Sequence, residues 1–183
     1  MFFNHIYHWV VYFRNRIQEK DINLDIVLQL KALFDAYDGN IGVYYTRTDD
    51  SNPTLQQRAE LANKAGADLF ISVHNNSSGT GNFTSVNGTQ VLYSESDDRE
   101  LGSKKLAQIC LDNVTAATGS NDFGLLKADD IYIVRTSEAP VALIEVGFMT
   151  NRDELAKLAD PEYQKTAAQG IFNAVLEAVK EGY

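Results

Sequence analysis

With 183 residues, 44% of them hydrophobic and 22% charged, the chain has the size and make-up of a single domain with a sizeable core. Its formal net charge of −9 argues against a nucleic-acid partner, whose phosphates call for Lys and Arg, and against docking on anionic lipid. The single cysteine, Cys110, excludes an internal disulfide, and no apolar run approaches the ~20 residues that a membrane-spanning helix needs.

The opening stretch, MFFNHIYHWVVYFRNRI, is apolar and aromatic and does not read as a clean strand and turn. It lacks the charged start and small-residue cleavage site of a signal peptide, so an export signal is expected to lie outside these residues. Residues 19–37 predict a helix. Ile22, Ile26, Leu30 and Leu33 recur at helical spacing, Val27 and Phe34 widen the stripe, and Gly39 is the expected cap. Residues 41–46 are β-rich and predict a short strand. Thr54 and Gln57 have the spacing of a capping box opening a helix that runs to Lys64. Residues 68–74 predict a strand, and 75–88, rich in Asn, Ser, Gly and Thr, a loop. Residues 90–93 predict an edge strand. Residues 97–117 predict a helix closed by Gly119, with Cys110 a buried, inert thiol on its apolar side. Strands are expected at 131–135 and 141–146, and helices at 151–158 and 161–180, the last with Ile171, Val175 and Val179 on one side. This alternation predicts an α/β fold. It would be a single layered domain with a mostly parallel sheet of about five to six strands, flanked by helices.

Two segments carry the chemistry. Ile71-Ser72-Val73-His74-Asn75-Asn76 and Leu143-Ile144-Glu145-Val146-Gly147-Phe148 each contain an apolar run that delivers one reactive residue. Buried parallel strands have this pattern, and sites in open α/β sheets form outside the strands' carboxyl ends. His74 and Glu145 are therefore expected to meet. Glu19, opening the first predicted helix, is an acidic group that could face the same cleft. Such a set suits a metal held by nitrogen and oxygen beside a free carboxylate base. Structural roles for the same residues stay open: a hydrogen-bonded His at a strand end, and a Glu that complements a helix dipole. No glycine-rich phosphate loop follows a strand, which argues against a nucleotide-binding domain.

From Glu19 onward the chain resembles the zinc-dependent N-acetylmuramoyl-L-alanine amidases of the Amidase_3 family. The resemblance is carried by residues 19–26 (EKDINLDI), 45–50 (YTRTDD), 55–63 (LQQRAELAN), 69–76 (LFISVHNN) and 142–151 (ALIEVGFMTN), with 132–140 leading into the last. It implies that Glu19 and His74 are zinc ligands, that Glu145 is the catalytic acid/base, and that the substrate is peptidoglycan, a muramyl peptide. Asn75, Arg58 and Asn151 fall in matching segments as substrate-binding candidates. Arg47 and Asn63 fall there too, although Arg and Asn at turns also pin loops by hydrogen bonds to carbonyls. The resemblance implies action at the cell wall, outside the cytoplasm.

The chain departs from the family at its start. The family's first zinc ligand is a His in an Asp-Pro-Gly-His-Gly-Gly turn after a central strand, and residues 1–18 contain neither that motif nor any glycine. His5 lies where that His would fall, and His8 is the second candidate. Residues 1–18 thus form an atypical segment ahead of an amidase catalytic domain at 19–183. The family's first strand is missing or replaced, which would leave a sheet edge unpaired. That edge would be covered by residues 6–14 or by another copy of the chain. Without the first ligand, the alternative is a metal-free, non-catalytic wall-associated protein of the same fold.

Overall fold

The computed structural model describes residues 17–79 and 81–183. Ten elements follow one another: α1 (Glu19–Asp35), α2 (Leu55–Ala65), β1 (Phe70–Asn76), β2 (Thr89–Tyr93), α3 (Ser103–Thr118), β3 (Asp122–Lys127), α4 (Tyr132–Thr136), β4 (Val141–Phe148), α5 (Arg152–Leu158) and α6 (Pro161–Glu181). The described strands form one open mixed sheet in the order β1-β4-β2-β3. β1 runs parallel to β4 and β2 parallel to β3, while β2 meets β4 antiparallel. The expected α/β fold holds, with four strands among the described residues where five to six were predicted.

The alternation along β4 divides the core. Ala142, Ile144 and Val146 point to one face, where Ile22 and Ile26 of α1, Leu106, Cys110 and Val114 of α3 and Ile171 of α6 form the larger cluster. Val141 and Leu143 point to the other, with Leu92, Ile133 and Val134. Gly170 lets α6 lie tight on α3, since a Cβ there would come within 2.9 Å of Val114 Cα. Cys110 is fully buried, and burial pushes its thiol up to about 12, which leaves it inert.

Several expectations are corrected. Residues 41–46 form no strand. Residues 131–135, predicted as a strand, lie largely in the short helix α4: Arg135 N–H donates to Ile131 O at 2.9 Å, and neighbouring Ile133 and Val134 are both buried. Tertiary packing overrides the β-propensity of Ile-Tyr-Ile-Val. β2 is not an edge strand, because β3 pairs beyond it. β3 itself was unforeseen: Gly124, at φ +93°, interrupts its sequence, and the β2–β3 register shifts between Thr89 and Gln90. α1 stops at Asp35, so Gly39 is not its cap, whereas Gly119 closes α3 as expected at φ +66°. The capping box of Thr54 and Gln57 is formed. The proposed cover over the sheet edge, residues 6–14, lies outside the described residues. No helix among the described residues is long and apolar enough to cross a membrane.

α3 begins later than predicted because Asp97 sits ahead of it as an anchor. Its Oδ2 accepts from Ser103 N at 2.8 Å and from Ser103 Oγ at 2.7 Å, and Ser103 Oγ in turn accepts from Val141 N at 2.9 Å. Arg99 Nε donates to Oδ1 at 2.5 Å. Burial pulls the Asp97 pKa upward, but the bonds from Arg99 and Ser103 outweigh it and hold it below the ordinary 3.8. Asp97→Ala is expected to cost about 1–3 kcal/mol at pH 7. A depressed folded pKa gives stability that is present above about 3.8 and lost as pH falls through the lower folded value. The stability difference between wild type and variant in denaturant unfolding should therefore narrow as pH falls below about 3.8, and a difference that does not narrow would contradict this role.

Candidate active site

The sheet register brings the two reactive strand residues together. His74 and Glu145 are direct partners across the parallel β1–β4 pair, and Gln90 of β2 is the partner of Glu145 on its other side. Register partners share a face, so His74, Glu145 and Gln90 form one polar row across the sheet. The row continues the face that carries Leu143 and Leu92, and it lies towards the carboxyl ends of β1 and β4.

Glu19 closes on this row from the first turn of α1. Its Oε1 lies 3.0 Å from His74 Nδ1 and accepts from Asn23 Nδ2 at 3.0 Å and from Asn75 N at 3.4 Å. Asn75 Nδ2 donates to Asn23 Oδ1 at 2.7 Å. The far side of the imidazole is held by Ser72, with Nε2 and Oγ 3.0 Å apart. Two residues of this set went unnoticed in the sequence. Asn23 follows Glu19 by one helical turn, and Ser72 precedes His74 by one strand period, so both share a face with a candidate ligand.

The charges are strongly coupled. Burial works against the Glu19 carboxylate, but the hydrogen bond and charge of His74, with the bonds from Asn23 and Asn75, hold it well below the usual range. Burial likewise works against the His74 imidazolium, but Glu19 and the charge of Glu145 raise its pKa. Glu145 is pushed up to about 7, by burial first and then by the charge of Glu19, against the pull of His74. Its Oε2 is buried without a hydrogen-bond partner, as is Asn75 Oδ1. A buried acceptor left open in this way awaits a donor such as water or a substrate N–H.

Zinc–ligand bonds of ~2.0–2.2 Å place neighbouring donors around a tetrahedral ion roughly 3.3–3.5 Å apart. The Glu19–His74 spacing of 3.0 Å is near that separation, so this oxygen and this imidazole fit as two ligands of one ion. Among the described residues no group of three His, Cys, Asp or Glu could hold a metal. Glu145 stands within electrostatic reach of the pair without bonding to either residue. His5 and His8 lie outside the described residues.

The remaining candidates separate. Asn75, Arg58 and Arg47 line the same cleft of about 1740 Å³ as Glu19, His74 and Glu145, whereas Asn63 and Asn151 do not. Asn151 caps α5, its Oδ1 accepting from Asp153 N and Glu154 N. Asn63 bridges α2 to the chain after α4: its Nδ2 donates to Thr136 O and its Oδ1 accepts from Glu138 N, each at 3.0 Å. Arg47 bonds Lys20 O and Asp49 O, holding its loop to the start of α1.

An α/β domain with its polar cluster at the carboxyl ends of parallel strands is the architecture in hand. A family model described as N-acetylmuramoyl-L-alanine amidase matches residues 10–177. The chain belongs to this family, Amidase_3. It is 32% identical over 162 residues to the N-acetylmuramoyl-L-alanine amidase LytC of Bacillus subtilis, covering 88% of this chain but 31% of that protein. It therefore spans about a third of the length of that relative. Among solved structures, the N-acetylmuramoyl-L-alanine amidase of Clostridium difficile 630 superposes with a TM-score of 0.84 at 32% identity, covering 93% of this chain and 89% of that one. The catalytic domain of CwlV from Bacillus (Paenibacillus) polymyxa gives 0.80 at 32% identity, covering 89% and 86%.

Proposed function

We propose that this chain hydrolyses the amide joining the lactyl group of N-acetylmuramic acid to L-alanine in peptidoglycan, with zinc as its metal. Glu19 and His74 would hold the ion, with His5 as third ligand and His8 as the alternative. On this reading residues 19–183 are the catalytic domain, residues 1–18 complete its metal site, and the protein acts at the wall, outside the cytoplasm. The observation that carries the reading is the row formed by β1 and β4: an imidazole tied to one carboxylate, beside a second carboxylate that keeps an open, buried oxygen.

When bound, zinc supplies Lewis acidity, polarising the amide carbonyl and making water more acidic. The chain's own residues do the rest. Glu145, with a pKa near neutrality, accepts a proton from the attacking water as the new C–O bond forms. It passes that proton to the amide nitrogen as the C–N bond breaks, leaving a carboxylic acid on the lactyl side and a free amine on alanine. Asn23 and Asn75 fix the Glu19 carboxylate, and Ser72 fixes the ring plane of His74.

Protein purified without chelator is expected to carry about one zinc per chain and to release peptide from purified wall. No zinc after supplementation, with no release, would favour the metal-free alternative. The third ligand is decided by single variants. His5→Ala is expected to lower zinc content, while His8→Ala leaves it unchanged, as read by elemental analysis. The reverse pattern would transfer the role to His8.

A further inference from the structure

Among the described residues, Arg58 on the cleft wall is a cation bonded only to neutral oxygens. Arg58, half-buried in the first turns of α2, donates from Nε to Pro53 O at 3.1 Å and from Nη1 to Thr46 Oγ1 at 3.4 Å, both neutral oxygens. Among the described residues it makes no ion pair, in a chain that carries nine more formal negative than positive charges. Arg47, the second guanidinium on this wall, also bonds only to backbone carbonyls. Burial first, and then the charge of Arg47, disfavour the charged form of Arg58, and Arg58 in turn acts electrostatically on His74. Arg58 moreover sits at the amino end of α2, where the helix dipole repels a cation and attracts an anion. Arg47 has the exposed Asp49 carboxylate near it, but Arg58, half-buried beside a like charge and a positive helix end, is bonded to none, an arrangement that costs stability unless an anion joins it.

We propose that Arg58, supported by Arg47, is a specificity residue that receives a free carboxylate of the stem peptide next to the scissile amide. This inference rests on the amidase reading above and adds the chemistry that the substrate presents to this wall of the cleft. A guanidinium fork suits a planar carboxylate, which it can bind through two parallel bonds. A primary amide at the same place would offer neither the charge nor the second acceptor oxygen.

The test uses the zinc-loaded full chain and two synthetic N-acetylmuramoyl-L-alanyl dipeptides. In one the second residue carries a free α-carboxylate, and in the other the corresponding primary amide. Wild type is expected to favour the carboxylate by about 10–100-fold in kcat/KM, the range of a charge-assisted hydrogen bond. In Arg58→Met that ratio should collapse towards one. Arg58→Lys should retain part of it, keeping the charge without the fork. Equal cleavage of both dipeptides by wild type overturns this inference alone, as does an Arg58→Met ratio as large as wild type's. Cleavage of neither overturns the amidase reading and this inference together.

Discussion

Glu145→Gln is expected to lower kcat/KM for wall peptide release by about 100- to 10,000-fold, the usual contribution of a positioned proton-transfer group, while zinc content stays at the wild-type level. The same substitution should stabilise the metal-free protein at high pH. The folded pKa of Glu145, about 7, lies above its ordinary 4.5. Its contribution to stability is therefore complete below about 4.5 and is lost as pH rises through about 7. Gln cannot ionise, so the variant avoids placing a charge beside Glu19. The Tm of metal-free Glu145→Gln minus that of wild type should grow between pH 5 and pH 8. A difference that shrinks over that range would mean the carboxylate is stabilised in place, and its role as proton acceptor would fail. Gain of stability on removing a reactive group is the expected trade at a site arranged for chemistry.

Loss of either candidate ligand should be felt first in metal affinity. Changing a partner that merely orients a ligand commonly costs about 10–100-fold. His74→Ala and Glu19→Ala, which delete ligand atoms, should each weaken zinc binding by at least about 100-fold in competition with a chromophoric chelator. Glu19→Ala also strips the acceptor from Asn23 Nδ2 and Asn75 N, so its metal-free form should melt below that of His74→Ala. Asn151→Ala provides the contrast. Its loss should cost about 1 kcal/mol of folding stability through the α5 cap and leave zinc stoichiometry intact. Wild-type zinc affinity in His74→Ala would remove the basis of the metal assignment.

The sequence was most legible where local pattern and tertiary demand coincide. The stripe of Ile22, Ile26 and Leu30 and the apolar run ahead of Glu145 each admit one periodicity, and both formed as read. The capping box at Thr54 is a local hydrogen-bond code and was equally plain. What failed was decided at a distance. Residues 131–135 have β-branched side chains suited to a strand, yet the position of Asn63 and the second core cluster hold them in a helix. β3 was hidden by a central glycine that only a paired strand explains. In the site, His74, Glu145 and Glu19 stood out by residue type and placement. Asn23 and Ser72 did not, because nothing in a single chain marks an amide or hydroxyl as the partner of a residue far away. Asn151 matched a family segment, and its side chain caps α5.

The pairing of β1 with β4 has a consequence for how such a site can vary. Because His74 and Glu145 face each other across one rung of a backbone ladder, their separation is set by the spacing between strands, which is ~4.8 Å whatever lies in the connections. The intervening chain can lengthen, shorten or be remodelled to greet other wall polymers without retuning the distance between the two groups. A slip of one residue in the ladder, by contrast, would turn the carboxylate to the opposite side of the sheet. The geometry of the proposed site is thus entrusted to main-chain pairing, and the loops are left free to diversify.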